Sequence, residues 1–112
     1  MKHLIVGVGE VSVRLRFARS LKDKRQILSS IIKKLKNDGF SVVEADHQEE
    51  AQLGTIGFTY AGRDAGHVEQ VIKKALDLFR MECEVLEKNH EVFDYGSDEV
   101  NFDWNEEEGG NG

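Results

Sequence analysis

Hydrophobic and polar residues alternate along 2–17 with the two-residue period of a strand. Ile5, Gly7, Gly9, Val11, Val13, Leu15 and Phe17 share one face and are assigned to the core. The opposite face carries Leu4, Val6, Val8, Glu10, Ser12, Arg14 and Arg16, apolar at its start and basic at its end. From residue 21 the period lengthens to that of a helix. Leu21, Leu28, Ile31, Ile32 and Leu35, widened by Ile27, give a stripe for burial. Ser20 suits the N-cap, Asp23 completes an aspartate version of the capping box, and Gly39 provides the stop.

Residues 40–45 read as a short strand, 46–50 as a polar connection and 53–60 as a returning strand. Gln52, Gly54, Ile56, Phe58 and Tyr60 form its core side. Asp64 caps a second helix whose apolar side is Val68, Val71, Ile72, Ala75, Leu76 and Phe79. Residues 82–93 form a last strand, irregular around Lys88-Asn89, with Cys83, Val85 and Leu86 supplying its first contacts. The order strand, helix, strand, strand, helix, strand predicts an α+β, ferredoxin-like βαββαβ sandwich. Its four-stranded antiparallel sheet carries both helices on one face, which leaves Leu4, Val6 and Val8 on the bare side. The domain is expected over 1–93. Residues 94–112 lose the period and read as an acidic, flexible tail, interrupted by Phe102 and Trp104.

Composition narrows the function classes. At 39% hydrophobic and 32% charged residues, the chain fits one soluble globular domain. A single cysteine, Cys83, excludes an intrachain disulfide and a cysteine-rich zinc site. No apolar run is long enough to span a membrane and no secretory signal opens the chain, so the cytoplasm is expected. The net charge of -6 hides a division. Residues 1–40 hold ten Lys or Arg against three acids, or +7; residues 41–112 hold five against eighteen, or -13. Overall acidity argues against indiscriminate nucleic-acid binding, while the basic half leaves room for a localised cationic face.

The densest such feature is the helix start. Lys22, Lys24 and Arg25 crowd a turn whose free backbone N–H groups already carry partial positive charge. A bound phosphate would favour that arrangement. Arg19, Ser20, Lys22, Lys24 and Arg25, extended by Arg14 and Arg16, are therefore the anion- or RNA-binding candidates, with structured RNA or the small ribosomal subunit as partner. Lys33, Lys34 and Lys36 sit in the last turns, where the helix dipole alone explains them. No aromatic ribonucleoprotein motif, GxxG clamp or zinc-finger spacing accompanies the basic cluster.

Two other readings stand beside this one. A homodimer through the open sheet face would cover Leu4, Val6 and Val8 without any role for RNA. A metal-assisted enzyme would draw on Glu44, Asp46, His47 and Gln48, with Glu49 and Glu50 beside them. Glu44 and Asp46 would share one strand face and cooperate. There is no HExxH, Walker loop, nucleophile elbow or dinucleotide fingerprint, so no cofactor is expected and an enzyme is the less favoured reading.

S-L-K-D-K-R at 20–25, V-V-E-A-D-H-Q at 42–48, L-G-T-I-G at 53–57 and D-A-G-H-V-E-Q-V at 64–71 resemble the small bacterial YlxP-like proteins. The resemblance covers about residues 3–93. It implies a ferredoxin-like fold and no established activity. It also implies a genomic setting beside translation initiation factor 2 and a small-subunit ribosome-binding factor. The matching positions are Ser20, Leu21, Lys22, Lys24, Arg25, Glu44, Asp46, His47 and Gln48.

Overall fold

Long-range pairing begins with the first strand, which is central in the sheet and hydrogen-bonded on both sides. In the computed structural model, which describes residues 3–47 and 49–96, β1 (Ile5–Arg14) pairs antiparallel with β3 (Leu53–Gly62) and with β4 (Glu84–Asp94). The remaining strand, β2 (Ser41–Asp46), adds to the far edge of β3, giving the order β2-β3-β1-β4. Helices α1 (Leu21–Asn37) and α2 (Ala65–Glu82) pack on one face. The architecture is the ferredoxin-like βαββαβ sandwich. No helix among the described residues is long and apolar enough to cross a membrane.

The core follows the alternation. Val11, Val13 and Leu15 of the first strand and its exit meet Ile56 and Phe58 of β3 beneath both helices. Leu28, Ile31 and Leu35 close it from α1; Val68, Ile72, Leu76 and Phe79 close it from α2. Gly9 has a packing reason to be glycine. Phe58, its cross-strand partner on β3, lays its ring over the position, and an added Cβ would lie 2.4 Å from Phe58 Cε1. Both helix caps are side-chain oxygens, Ser20 and Asp64, accepting from Asp23 N–H and His67 N–H. Asp23 Oδ2 in turn accepts from Arg19 N–H at 2.9 Å, one residue earlier than a capping box would place it. Gly39, at φ 100, provides the stop.

Four local expectations are corrected. The first strand ends at Arg14, so Phe17 leaves the core face and becomes 89% exposed. The chain turns at Arg16-Phe17 after Leu15 is buried, and Ala18 N–H bonds back to Leu15 O. The irregularity in β4 falls at Leu86, between the Ser12–Glu87 and Val13–Val85 pairs, rather than at Lys88-Asn89. Strand β2 bulges at Ala45, with consequences for the acidic candidates. Finally, the expected tail starts later than residue 94: Asp94 closes β4, and Tyr95, in the turn that follows, donates its N–H to Leu4 O at 2.8 Å. The rest of it, including Phe102 and Trp104, lies outside the described residues.

Candidate functional site

The cationic first turn of α1 is partly neutralised from within. Lys24 is a core residue, only 2% exposed, although its neighbours Lys22 and Arg25 face solvent. Its position three to four residues from Ile27 and Leu28 puts it on the buried side of the helix. The ammonium reaches across to the loop after β2, donating to His47 O at 2.6 Å and Glu50 O at 2.9 Å. Glu44 Oε2 lies 2.8 Å from the same nitrogen. Three oxygen partners account for the three donors of the ammonium. Lys24 is therefore corrected from an open phosphate ligand to the post that ties α1 to the β2–β3 connection.

His47 explains how that connection aims its carbonyls. It holds a left-handed backbone, φ 63, which a residue with a Cβ adopts at a cost. Its charge-assisted bond from Lys24 offsets the strain. The imidazole Nδ1 lies 3.1 Å from Glu50 Oε1, and Nε2 lies 4.0 Å from Asp46 Oδ2. Asp46 also accepts from the His47 backbone N–H at 2.7 Å.

Glu44 and Asp46 do not share a face, which corrects the expected carboxylate pair. Glu44 is opposite Ile56 and Asp46 opposite Thr55, consecutive residues of β3, so the bulge turns the two carboxylates to opposite sides of the sheet. Gln48 lies outside the described residues. No group of three His, Cys, Asp or Glu among the described residues is arranged to hold a metal ion.

The other cationic candidates divide in two. Arg16 Nε donates to Glu84 Oε1 at 2.7 Å, and Arg14 Nη1 lies 3.9 Å from the same oxygen. Those two arginines flank the end of the sheet and share one carboxylate. Arg19, Lys22 and Arg25 are exposed, and among the described residues none has a carboxylate within ion-pair distance.

The same is true farther along α1, where the charge pattern is clearest. At 100° per residue, Lys22, Arg25, Ser29, Lys33 and Lys36 fall in one solvent-facing stripe. The stripe runs about 21 Å at 1.5 Å per residue. All four cations lack a carboxylate partner among the described residues, and the only acid within α1 is Asp23 in its first turn. Helix α2 differs: three acids balance three Lys or Arg, and it carries the Lys73–Glu69 and Arg80–Asp77 ion pairs. Dipole compensation accounts for two or three basic residues at the end of a helix, whereas this face is cationic from first turn to last. In the sequence the crowded helix start stands out; the 3-4-4-3 spacing that joins Lys22 to Lys36 is the signal for the rest of the face.

Two titratable groups lie apart from this face. Glu69 accepts from His90 Nε2 at 3.0 Å when that nitrogen carries the proton, and this bond holds its carboxyl below the usual carboxylate range. Cys83, half-buried at the end of α2, has its thiol pushed up to about 11 by burial and then by the Glu82 charge. At neutral pH it is a packed, protonated thiol, as expected for a small sheet-end residue.

The family described as "Protein of unknown function (DUF503)" matches residues 6–90. No curated protein gives a significant match. Among solved structures, one titled "De novo designed protein Foldit4" is similar at 12% identity and a TM-score of 0.45, covering 81% of this chain and 94% of that one.

Proposed function

The chain belongs to the DUF503 family of YlxP-like proteins, and we propose that it acts as a binding module that holds RNA along the solvent face of α1. One observation carries this reading: Lys22, Arg25, Lys33 and Lys36 form a continuous cationic stripe without carboxylate partners among the described residues. Outside these four cations the sequence is net acidic, so a polyanion is drawn to the stripe rather than to the chain as a whole. Arg19, exposed just before the helix, adds one more cation near its start. Lys24 takes a structural part instead, fixing the helix on the sheet so that the four exposed cations are presented by a rigid rod. Phosphate contacts of this kind position a strand and read no sequence. Binding to structured RNA or purified small ribosomal subunits across a salt series tests the reading, because each neutralised phosphate steepens the loss of affinity with salt.

A second reading is favoured by the open sheet face. Leu4, Val8, Val43 and Phe93 are exposed there at 37–61%, with Val6 paired to Phe93 between them. Self-association through this face is compatible with RNA on α1, since the two surfaces lie on opposite layers. Sedimentation of the free protein over a concentration series tests it.

A further inference from the structure

The turn between β1 and α1 displays a large aromatic side chain that the fold does not bury. Phe17, at 89%, is the most exposed large apolar residue among those described. It is not on a slack loop. Leu15 and Ala18 on either side are buried at 3% and 0%. Gln52 Nε2 donates to Arg16 O at 3.3 Å and Ala18 O at 3.1 Å, and Leu15 N–H donates to Gln52 O at 2.8 Å. One glutamine thus clamps the turn from both ends and holds Phe17 outward.

Beside Phe17 is an open groove of about 280 Å³. Ile27 of α1 and the exposed Met81 of α2 form apolar walls with Phe17, and Arg16, Cys83 and Glu84 form the rim. Its occupant must offer an apolar face to Phe17 and Met81 and hydrogen-bonding edges to Arg16 and Glu84. Negative charge carried with it would be drawn to the arginines on the groove, Arg14 and Arg16, and to Arg19 and Lys22, which follow Phe17 by two and five residues in the chain. An unstacked nucleobase on a phosphate backbone has all three properties, and single-stranded nucleic acid is commonly held by cations along the backbone with aromatics under the bases. A lipid surface has the apolar and anionic parts but no planar hydrogen-bonding edge to set beside Arg16 and Glu84. Cys83 adds no charge, because its thiol stays protonated.

We infer that this groove takes an unpaired base stacked on Phe17, so that the preferred ligand is single-stranded or looped RNA rather than a continuous duplex. The inference rests on the RNA reading of α1 and names its substrate class. The charged stripe supplies attraction to any polyanion; Phe17 supplies the preference for an exposed base.

The test uses the full chain with a single-stranded oligouridine and a fully paired RNA duplex at one fixed salt concentration. Wild type is compared with Phe17→Ala, Phe17→Trp and the variant Lys22→Ala/Arg25→Ala/Lys33→Ala/Lys36→Ala, with circular dichroism confirming the fold of each. Phe17→Ala should weaken binding to the single strand about tenfold and change duplex binding less than about twofold, while Phe17→Trp should retain single-strand affinity. The charge variant should lose both ligands. If Phe17→Ala leaves single-strand binding intact while the charge variant loses it, base stacking is overturned and the RNA reading of α1 survives. If the charge variant binds like wild type, both are overturned. Phe17-dependent binding to phosphatidylserine vesicles, with no Phe17 dependence on RNA, overturns the base in favour of a membrane.

Discussion

Lys24 Nζ sits 2.8 Å from Glu44 Oε2, joining the first turn of α1 to β2 by an ion pair whose lysine side is almost wholly withdrawn from water. Breaking it from the lysine side leaves the Glu44 charge and two aimed carbonyls without their shared donor. Lys24→Met keeps the aliphatic stem and removes only the ammonium, and should destabilise the protein by about 3 kcal/mol. Lys22→Met, two residues away and exposed, should change stability by less than about 0.5 kcal/mol. Urea unfolding of the two variants separates the buried cation from the displayed one. Equal stability would refute the division of roles.

Sequence periodicity made the architecture readable because the two helices and the second half of the first strand have chemically distinct faces. The alternation from Ile5 to Leu15 and the stripes of the two helices fixed which side of each element is buried. What the pattern could not show was Phe17: it continues the strand's period by count, but the backbone turns after Leu15 and carries it outward. Lys24 failed in the opposite sense. A lysine beside Lys22 and Arg25 looks exposed until the β2–β3 connection supplies oxygen partners from more than twenty residues away. Glu44 and Asp46 lose the shared face that alternation predicts because a single bulged residue, Ala45, reverses it. In each case a local rule was overruled by a turn, a bulge or a distant acceptor.

The contact between Gly9 and Phe58 makes a separate prediction about packing. An alanine Cβ at residue 9 would meet the ring at 2.4 Å, and the ring is buried among core neighbours with little room to move. Gly9→Ala should therefore cost about 1–3 kcal/mol in denaturant unfolding despite the better strand preference of alanine. A neutral or stabilising effect would show that Phe58 is freer than its packing implies.

Cys83 predicts a pH dependence with a definite sign. Its thiol is raised from 9.0 to about 11 in the folded protein. The folded state therefore retains a proton that the unfolded chain loses, and the thiol's contribution to stability is full below pH 9 and lost as pH climbs to about 11. Cys83→Ser should flatten the fall in stability over that interval. Alkylation of native wild type by iodoacetamide at pH 8 should be at least tenfold slower than in denaturant, since the thiolate is the reactive species. Fast native alkylation would contradict the burial that causes the shift.

For the open sheet face, self-association predicts a mass approaching twice 12.7 kDa as concentration rises. Val8→Glu and Val43→Glu should hold the protein at monomer mass without unfolding it, because both side chains are already exposed. Sedimentation equilibrium reads this directly. A monomer at all concentrations removes the second reading and leaves α1 untouched.

The central claim, that the face of α1 holds RNA, is tested most directly by affinity for purified small ribosomal subunits over a salt series. Wild type is set against Lys22→Ala/Arg25→Ala/Lys33→Ala/Lys36→Ala. The stripe predicts that log affinity falls with log salt at a slope of about -3 for four phosphates, and that the variant loses most of both affinity and slope. Binding that is absent at low salt, or that persists in the variant with an unchanged slope, would contradict the account.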